Sequence, residues 1–126
     1  MPRTPTAEIA LREDGIVLTR IAVGVQQSLA DARLNLAATV EACGQKKRPL
    51  LVDISRCEPL EPEVRHYYTG KILVDSFLAL ALVVEATPFG LMMGNIYLRV
   101  ARPGVPTRLF PTEAGALAWL RPFLGE

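Results

Sequence analysis

Apolar positions along the chain change spacing several times, and each change marks a new element. Ala7-Glu-Ile-Ala-Leu-Arg12 alternates loosely, Asp14-Gly15 gives a tight-turn signal, and Ile16 to Val23 supplies a second extended run. A two-residue turn predicts that these two strands pair antiparallel. From Ser28 the period becomes helical: Leu29, Ala32, Leu36, Val40 and Cys43 form one stripe, with Asp31 placed for a capping box and Gly44 as the stop. Arg48 to Ser55 then reads as a strand buried on both faces, because Leu50, Leu51, Val52 and Ile54 leave little polar alternation.

The second half repeats the strand–helix alternation. Pro62 and Glu63 suit the first turn of a helix carried by Val64, Tyr67, Tyr68 and Ile72, with Gly70 weakening its middle. Phe77 to Val84 is a continuous apolar strand that closes with Glu85. Thr87 and Pro88 open a helix predicted to run to Val100. Its stripe of Phe89, Met92, Met93, Ile96 and Val100 is joined by Leu91 and Leu98 on another face, and Arg99 is its one charge. A helix so apolar all round needs cover on more than one side. Val105 to Phe110 is the last strand, Pro111 or Thr112 starts the last helix, and Pro122 ends or kinks it.

The predicted order is therefore ββαβαβαβα: an α/β domain with a mixed, mostly parallel five-stranded sheet and four helices. All 126 residues form one domain, with residues 1–6 expected as a loose tail. Fourteen basic against thirteen acidic side chains, a net charge of +1, give no electrostatic case for nucleic acid. Cys43 and Cys57 lack Cys-x-x-Cys spacing and there is a single histidine, so no metal site or disulfide framework is expected, and no motif asks for a cofactor. Residues 1–14 carry no apolar segment of a secretory signal, and the run from Phe77 to Val84 is far short of a membrane helix. Cytoplasmic residence is the expectation.

The element order is that of STAS domains, found in sulphate transporters and anti-sigma-factor antagonists. Gly94-Asn-Ile-Tyr-Leu98, Pro106-Thr-Arg-Leu-Phe110 and Ala116-Leu-Ala-Trp-Leu120 resemble blocks of the small bacterial SpoIIAA-like proteins, and Pro49-Leu-Leu-Val-Asp53 resembles their central strand. The likeness covers about residues 16–124. It implies an interaction or regulatory role more than an activity. In the antagonists a serine is phosphorylated where the helix after the third strand begins. Here Pro59-Leu-Glu-Pro-Glu63 has no hydroxyl, so that switch is impossible at this position. Glu61 or Glu63 places permanent charge there instead, which ordinary helix-end electrostatics explains.

Open α/β sheets bind ligands beyond the carboxyl ends of their strands. That rule gathers Asp53, Ser55, Glu61, His66, Glu85 and Thr87 into a candidate crevice. Asp53 is either a ligand-orienting or acid/base group or, more plainly, a carboxylate bonded to loop amides. An enzyme built on Asp53 and His66 would need the two within hydrogen-bond reach. The leading expectation is a non-enzymatic interaction module, homodimeric through Leu91, Met92 and Leu98. The alternative is a carrier or sensor of a small apolar or lipid-like ligand.

Overall fold

In the computed structural model the described residues are 3–44, 46–58, 61–68, 71–85, 87, 88, 90, 92 and 105–124, the side chains of Arg3, Arg65 and Lys71 excepted. The strands are β1 (Arg3–Thr4), β2 (Ala7–Leu11), β3 (Val17–Ile21), β4 (Arg48–Asp53), β5 (Phe77–Val83) and β6 (Thr107–Phe110). Among the described residues the helices with both ends defined are α1 (Leu29–Ala42), α2 (Pro62–Tyr68), α3 (Lys71–Ser76) and α4 (Glu113–Leu120), followed by a 3-10 turn over Arg121–Leu124, and the helix expected from Pro88 to Val100 lies largely outside the described residues. One sheet holds the strands in chain order, β1 to β3 antiparallel and β3 to β6 parallel.

The five expected strands and the α/β class are present, with four local differences. Arg3 and Thr4, placed by the sequence in a loose tail, pair with Glu8 and Ala7 and add an edge strand. The β2–β3 connection is longer than the two residues Asp14-Gly15: Arg12 N–H donates to Ile16 O at 2.9 Å and Gly15 N–H to Arg12 O at 3.0 Å. Gly15 sits there at φ 98°, which a side chain would resist. Where one helix was expected after β4, two short ones, α2 and α3, stand. Pro49 lies inside β4 and not before it. It is tolerated because the β4–β5 register shifts between Arg48 and Pro49, a bulge that spares the missing N–H.

Ser28 caps α1 as its sequence implies. Its hydroxyl accepts from Asp31 N–H at 3.1 Å and the Asp31 carboxylate accepts from Ser28 N–H at 3.0 Å. Gly44, at φ 71°, ends the helix in the left-handed region. Of the basic residues Lys46, Lys47 and Arg48 behind it, Arg48 donates from Nε to Cys43 O at 2.9 Å and places a cation at the helix carboxyl end.

Two cores flank the sheet. On one face Ile9, Val17, Ile21, Leu50, Leu80 and Leu82 meet Leu36 of α1, Leu73 of α3 and the partly buried Tyr67 and Tyr68 of α2. On the other, Leu18, Leu51, Ala79, Ala81 and Val83 meet Ala116 and Leu120 of α4, with Phe110, Trp119 and Phe123 packed at the rim. Trp119 anchors α4, its ring 5.7 Å from Phe110 and 5.1 Å from Phe123.

Candidate functional site at the carboxyl ends of the strands

Alternation along β3 and β4 sends Arg20 and Asp53 to the α4 face, two residues beyond the buried Leu18 and Leu51. Strand register then aligns Glu8, Arg20, Asp53, Val83 and Phe110 as one row across β2 to β6. The apolar half of this row packs under α4. Its charged half floors an open cleft of about 670 Å³, lined also by Thr4, Ser55, Arg56, Pro111, Thr112 and Glu113.

Glu113 reaches the row from α4. Thr112 caps that helix through a bond from Gly115 N–H to its hydroxyl, 3.1 Å, which leaves Glu113 in the first turn where an anion is favoured. Arg20 meets it side-on, with Nε to Oε2 and Nη2 to Oε1 both at 2.8 Å. This bidentate pair holds the Glu113 carboxyl down at about 2, well below its ordinary range. Asp53 behaves oppositely. Its Oδ1 accepts from Ser55 N–H at 2.9 Å and Ser55 Oγ at 2.6 Å. Burial, and next the hydrogen-bonded carboxyl of Glu113, nevertheless raise it above the ordinary carboxylate range. Two adjacent carboxyls thus have affinities for protons pushed apart: Glu113 ionised on Arg20, Asp53 the first to take a proton.

Of the six crevice residues expected from sequence, the cleft joins Asp53 and Ser55. Glu61, His66, Glu85 and Thr87 are not in its lining. His66 is exposed on α2, the helix whose tyrosines pack on the opposite face of the sheet, and the geometry does not join it to Asp53 in this cleft. Glu61 precedes α2, its carbonyl accepting from Val64 N–H at 3.0 Å, and Glu85 O accepts from Thr87 N–H at 2.8 Å. Thr87 acts as the expected cap, its hydroxyl accepting from Gly90 N–H at 3.0 Å. Met92 is 51% exposed, while Leu91 and Leu98 lie outside the described residues.

Arg20, Arg56, Glu8, Thr112 and Glu113 were missed. Arg20 was legible, as a lone cation inside an apolar strand beside a strand that carries a lone carboxylate. Glu113, ninety-three positions away, had no such signal. Among the described residues no group of three His, Cys, Asp or Glu side chains is placed to hold a metal ion, and no helix is long and apolar enough to cross a membrane.

Residues 9–124 match the family described as Domain of unknown function (DUF7793). The chain belongs to that family. Among curated proteins none matches it. A Shewanella loihica PV-4 protein of the DUF3478 family, with a SpoIIAA-like fold, superposes at a TM-score of 0.60 and 17% identity, over 95% of this chain and 98% of that one. That likeness establishes the SpoIIAA-like fold for this DUF7793 member, and the fold alone. An Arthrobacter sp. FB24 protein of unknown function is 23% identical over 90% of this chain and 97% of its own, at a TM-score of 0.35.

Proposed function

We propose that this DUF7793 chain is a non-enzymatic interaction module of SpoIIAA-like fold, acting in the cytoplasm and recognising a protein partner through the cleft at the strand ends. One observation carries the reading: both central carboxylates are already engaged by their own neighbours, Asp53 by Ser55 and Glu113 by Arg20. A turnover site needs a nucleophile or base presented to substrate. A recognition site needs fixed charges on a rigid floor, and this row supplies them. Both cysteines are free, which accords with a reducing compartment.

A further partner proposed is a second copy of the chain, through the Leu91, Met92 and Leu98 segment expected from the sequence, of which Met92 is exposed. Solution mass tests this in wild type, in Leu91→Asp/Met92→Asp/Leu98→Asp and in Arg56→Glu. A dimer lost in the triple variant and kept in Arg56→Glu supports self-association through this segment and leaves the cleft for a different partner. A monomeric wild type removes the homodimer.

A second reading, carriage or sensing of a small apolar ligand, is favoured by a separate space. A cavity of about 40 Å³ lies between the sheet and α1, α2 and α3, walled mainly by leucine, isoleucine and valine side chains. Native mass spectrometry of protein purified from cells tests it, since a retained extra mass is its signature.

A further inference from the structure

The cleft at the strand ends presents two charges of opposite sign that the described residues leave uncompensated. The first is Asp53. Arg20, its neighbour in the row, is committed side-on to Glu113, with both bonds at 2.8 Å. Asp53 receives Ser55 N–H and Ser55 Oγ, both on Oδ1, and no described cation forms an ion pair with it. Arg3, whose side chain lies outside the described residues, stands opposite Glu8 at the far end of the row. That is three strands from Asp53, roughly 14 Å between backbones at the usual strand spacing.

The second charge is Arg56. Its side chain is exposed in the same cleft, and no described carboxylate forms an ion pair with it. The loop that carries it is fixed at three points. Ile54 N–H donates to Val83 O at 2.9 Å, Gly24 N–H to Arg56 O at 2.8 Å and Glu58 N–H to Val25 O at 2.8 Å. The last two bonds stitch Arg56 to the β3–α1 connection, where Val23 is 71% exposed and also lines the cleft. A fixed rim that offers an arginine beside an apolar side chain suits protein recognition, because little order has to be gained on binding.

Sign and depth decide what fits. A carboxylate reaching the floor would meet two carboxyls, whereas a cation would meet acceptors. Asp53 is one, the Ser55 hydroxyl another, and each Glu113 oxygen keeps a lone pair beyond its bond to Arg20. A lysine ammonium is compact, carries three donors and stands on a long stem, while a guest guanidinium would want the carboxylate edge that Arg20 already holds. Arg56 at the rim calls for a carboxylate on the same guest. In an extended segment, residues two apart lie on one face, roughly 7 Å from each other, so one strand of the partner can serve both charges. The cleft, at about 670 Å³, has room for such a segment.

We propose that the cleft recognises an extended segment of a partner protein in which a lysine and an acidic residue stand two positions apart, the ammonium on Asp53 and Glu113 and the carboxylate on Arg56. The inference rests on the protein-partner reading of the cleft and deepens it by naming the partner's chemistry.

The test titrates the full chain with acetyl-Ala-Lys-Ala-Glu-Ala-amide and with its two versions in which alanine replaces the lysine or the glutamate. Amide signals throughout the chain are followed in nitrogen–proton NMR spectra. The parent peptide should move the Ser55 and Arg56 signals saturably. Loss of either charge should weaken binding about tenfold, as loss of one charge-assisted hydrogen bond does. Asp53→Asn, which keeps the Ser55 bonds, should erase the preference for lysine and retain that for glutamate. Arg56→Glu, an exposed change, should reverse the second preference and favour acetyl-Ala-Lys-Ala-Lys-Ala-amide. Equal saturable binding of all three peptides at Ser55 and Arg56 overturns the role of the charges and leaves the cleft as a protein-recognition surface. No saturable shift with any peptide likewise overturns the lysine–acid pair. Saturable shifts confined to another surface remove the cleft as the docking site altogether.

Discussion

Replacing Asp53 by Asn removes a charge from the cleft floor and disturbs little else. The amide oxygen still accepts both Ser55 bonds, which are 2.9 Å and 2.6 Å long in wild type. The new amide nitrogen faces the Glu113 carboxylate, which wild-type Asp53 can bond only when protonated. Asp53 titrates above its ordinary value of 3.8, first through burial and then through Glu113. A raised folded value means that folding disfavours its charged form. The stability associated with Asp53 is therefore full below 3.8 and lost as pH rises through the raised folded value. At pH 7 the wild type bears that loss and Asp53→Asn escapes it. A hydrogen bond to a charged group contributes roughly 1.5–3 kcal/mol, and the partial exposure of the cleft reduces this to about 1 kcal/mol. For a chain of this length that is a rise of roughly 3–5 °C in Tm. Thermal unfolding followed by circular dichroism at pH 7 and pH 3 should show the gain at the first and its near disappearance at the second. Loss of stability at pH 7, or an equal gain at both, would refute the account of the carboxyl pair. The expected result also bears on function. A carboxylate whose removal strengthens the fold is not held there for stability, and a recognition role is the natural reason to keep it.

The same cluster gives an acid limb. Glu113 is depressed from 4.5 to about 2, so its contribution is present above 4.5 and lost as pH falls through about 2. In Arg20→Met the Glu113 carboxyl should titrate near 4.5 by carbon-13 NMR, and the fall in stability across that window should flatten. Because the Arg20 and Glu113 side chains keep 48% and 28% exposure, the cost at pH 7 should stay near ~1 kcal/mol by urea unfolding. Cys57 is raised to about 11, chiefly by burial. Alkylation by iodoacetamide at pH 8 should be far slower at Cys57 than at a free cysteine in the urea-unfolded chain, and a comparable rate would contradict that environment.

The fold was legible because strands and helices here obey their local rules. Ser28 with Asp31, Gly44, and Thr112 ahead of Glu113 cap their helices by side-chain chemistry that needs no distant partner. The site was legible only as far as one residue type could be odd in its own neighbourhood. Asp53 stands out in an apolar strand, and Ser55 follows by proximity. Glu113 looks like any acidic residue in a first helical turn, and what makes it part of the site is the return of α4 over β4 and β5. Asn35 and Thr39 were missed on α1 for a related reason. The apolar stripe of Leu29, Ala32, Leu36, Val40 and Cys43 gives no sign of polar residues buried beside it, and the buried network with Gln27, Thr19 and Thr6 exists only once the edge strand and α1 are brought together.

Both polar features descend from two adjacent residues of one strand. Thr19 and Arg20 point to opposite faces of β3, as consecutive residues must. Thr19 enters the buried polar network beneath α1, and Arg20 enters the row that clamps Glu113 above the sheet. Strand β4 and the residue after it repeat the division, with Val52 and Ile54 walling the cavity and Asp53 between them flooring the cleft. A slip of one residue in β3–β4 pairing would drive Arg20 into the leucine core and Thr19 into water. The apolar residues of these strands fix that register, and the register in turn is what assigns a charged floor to one face and a buried polar network to the other.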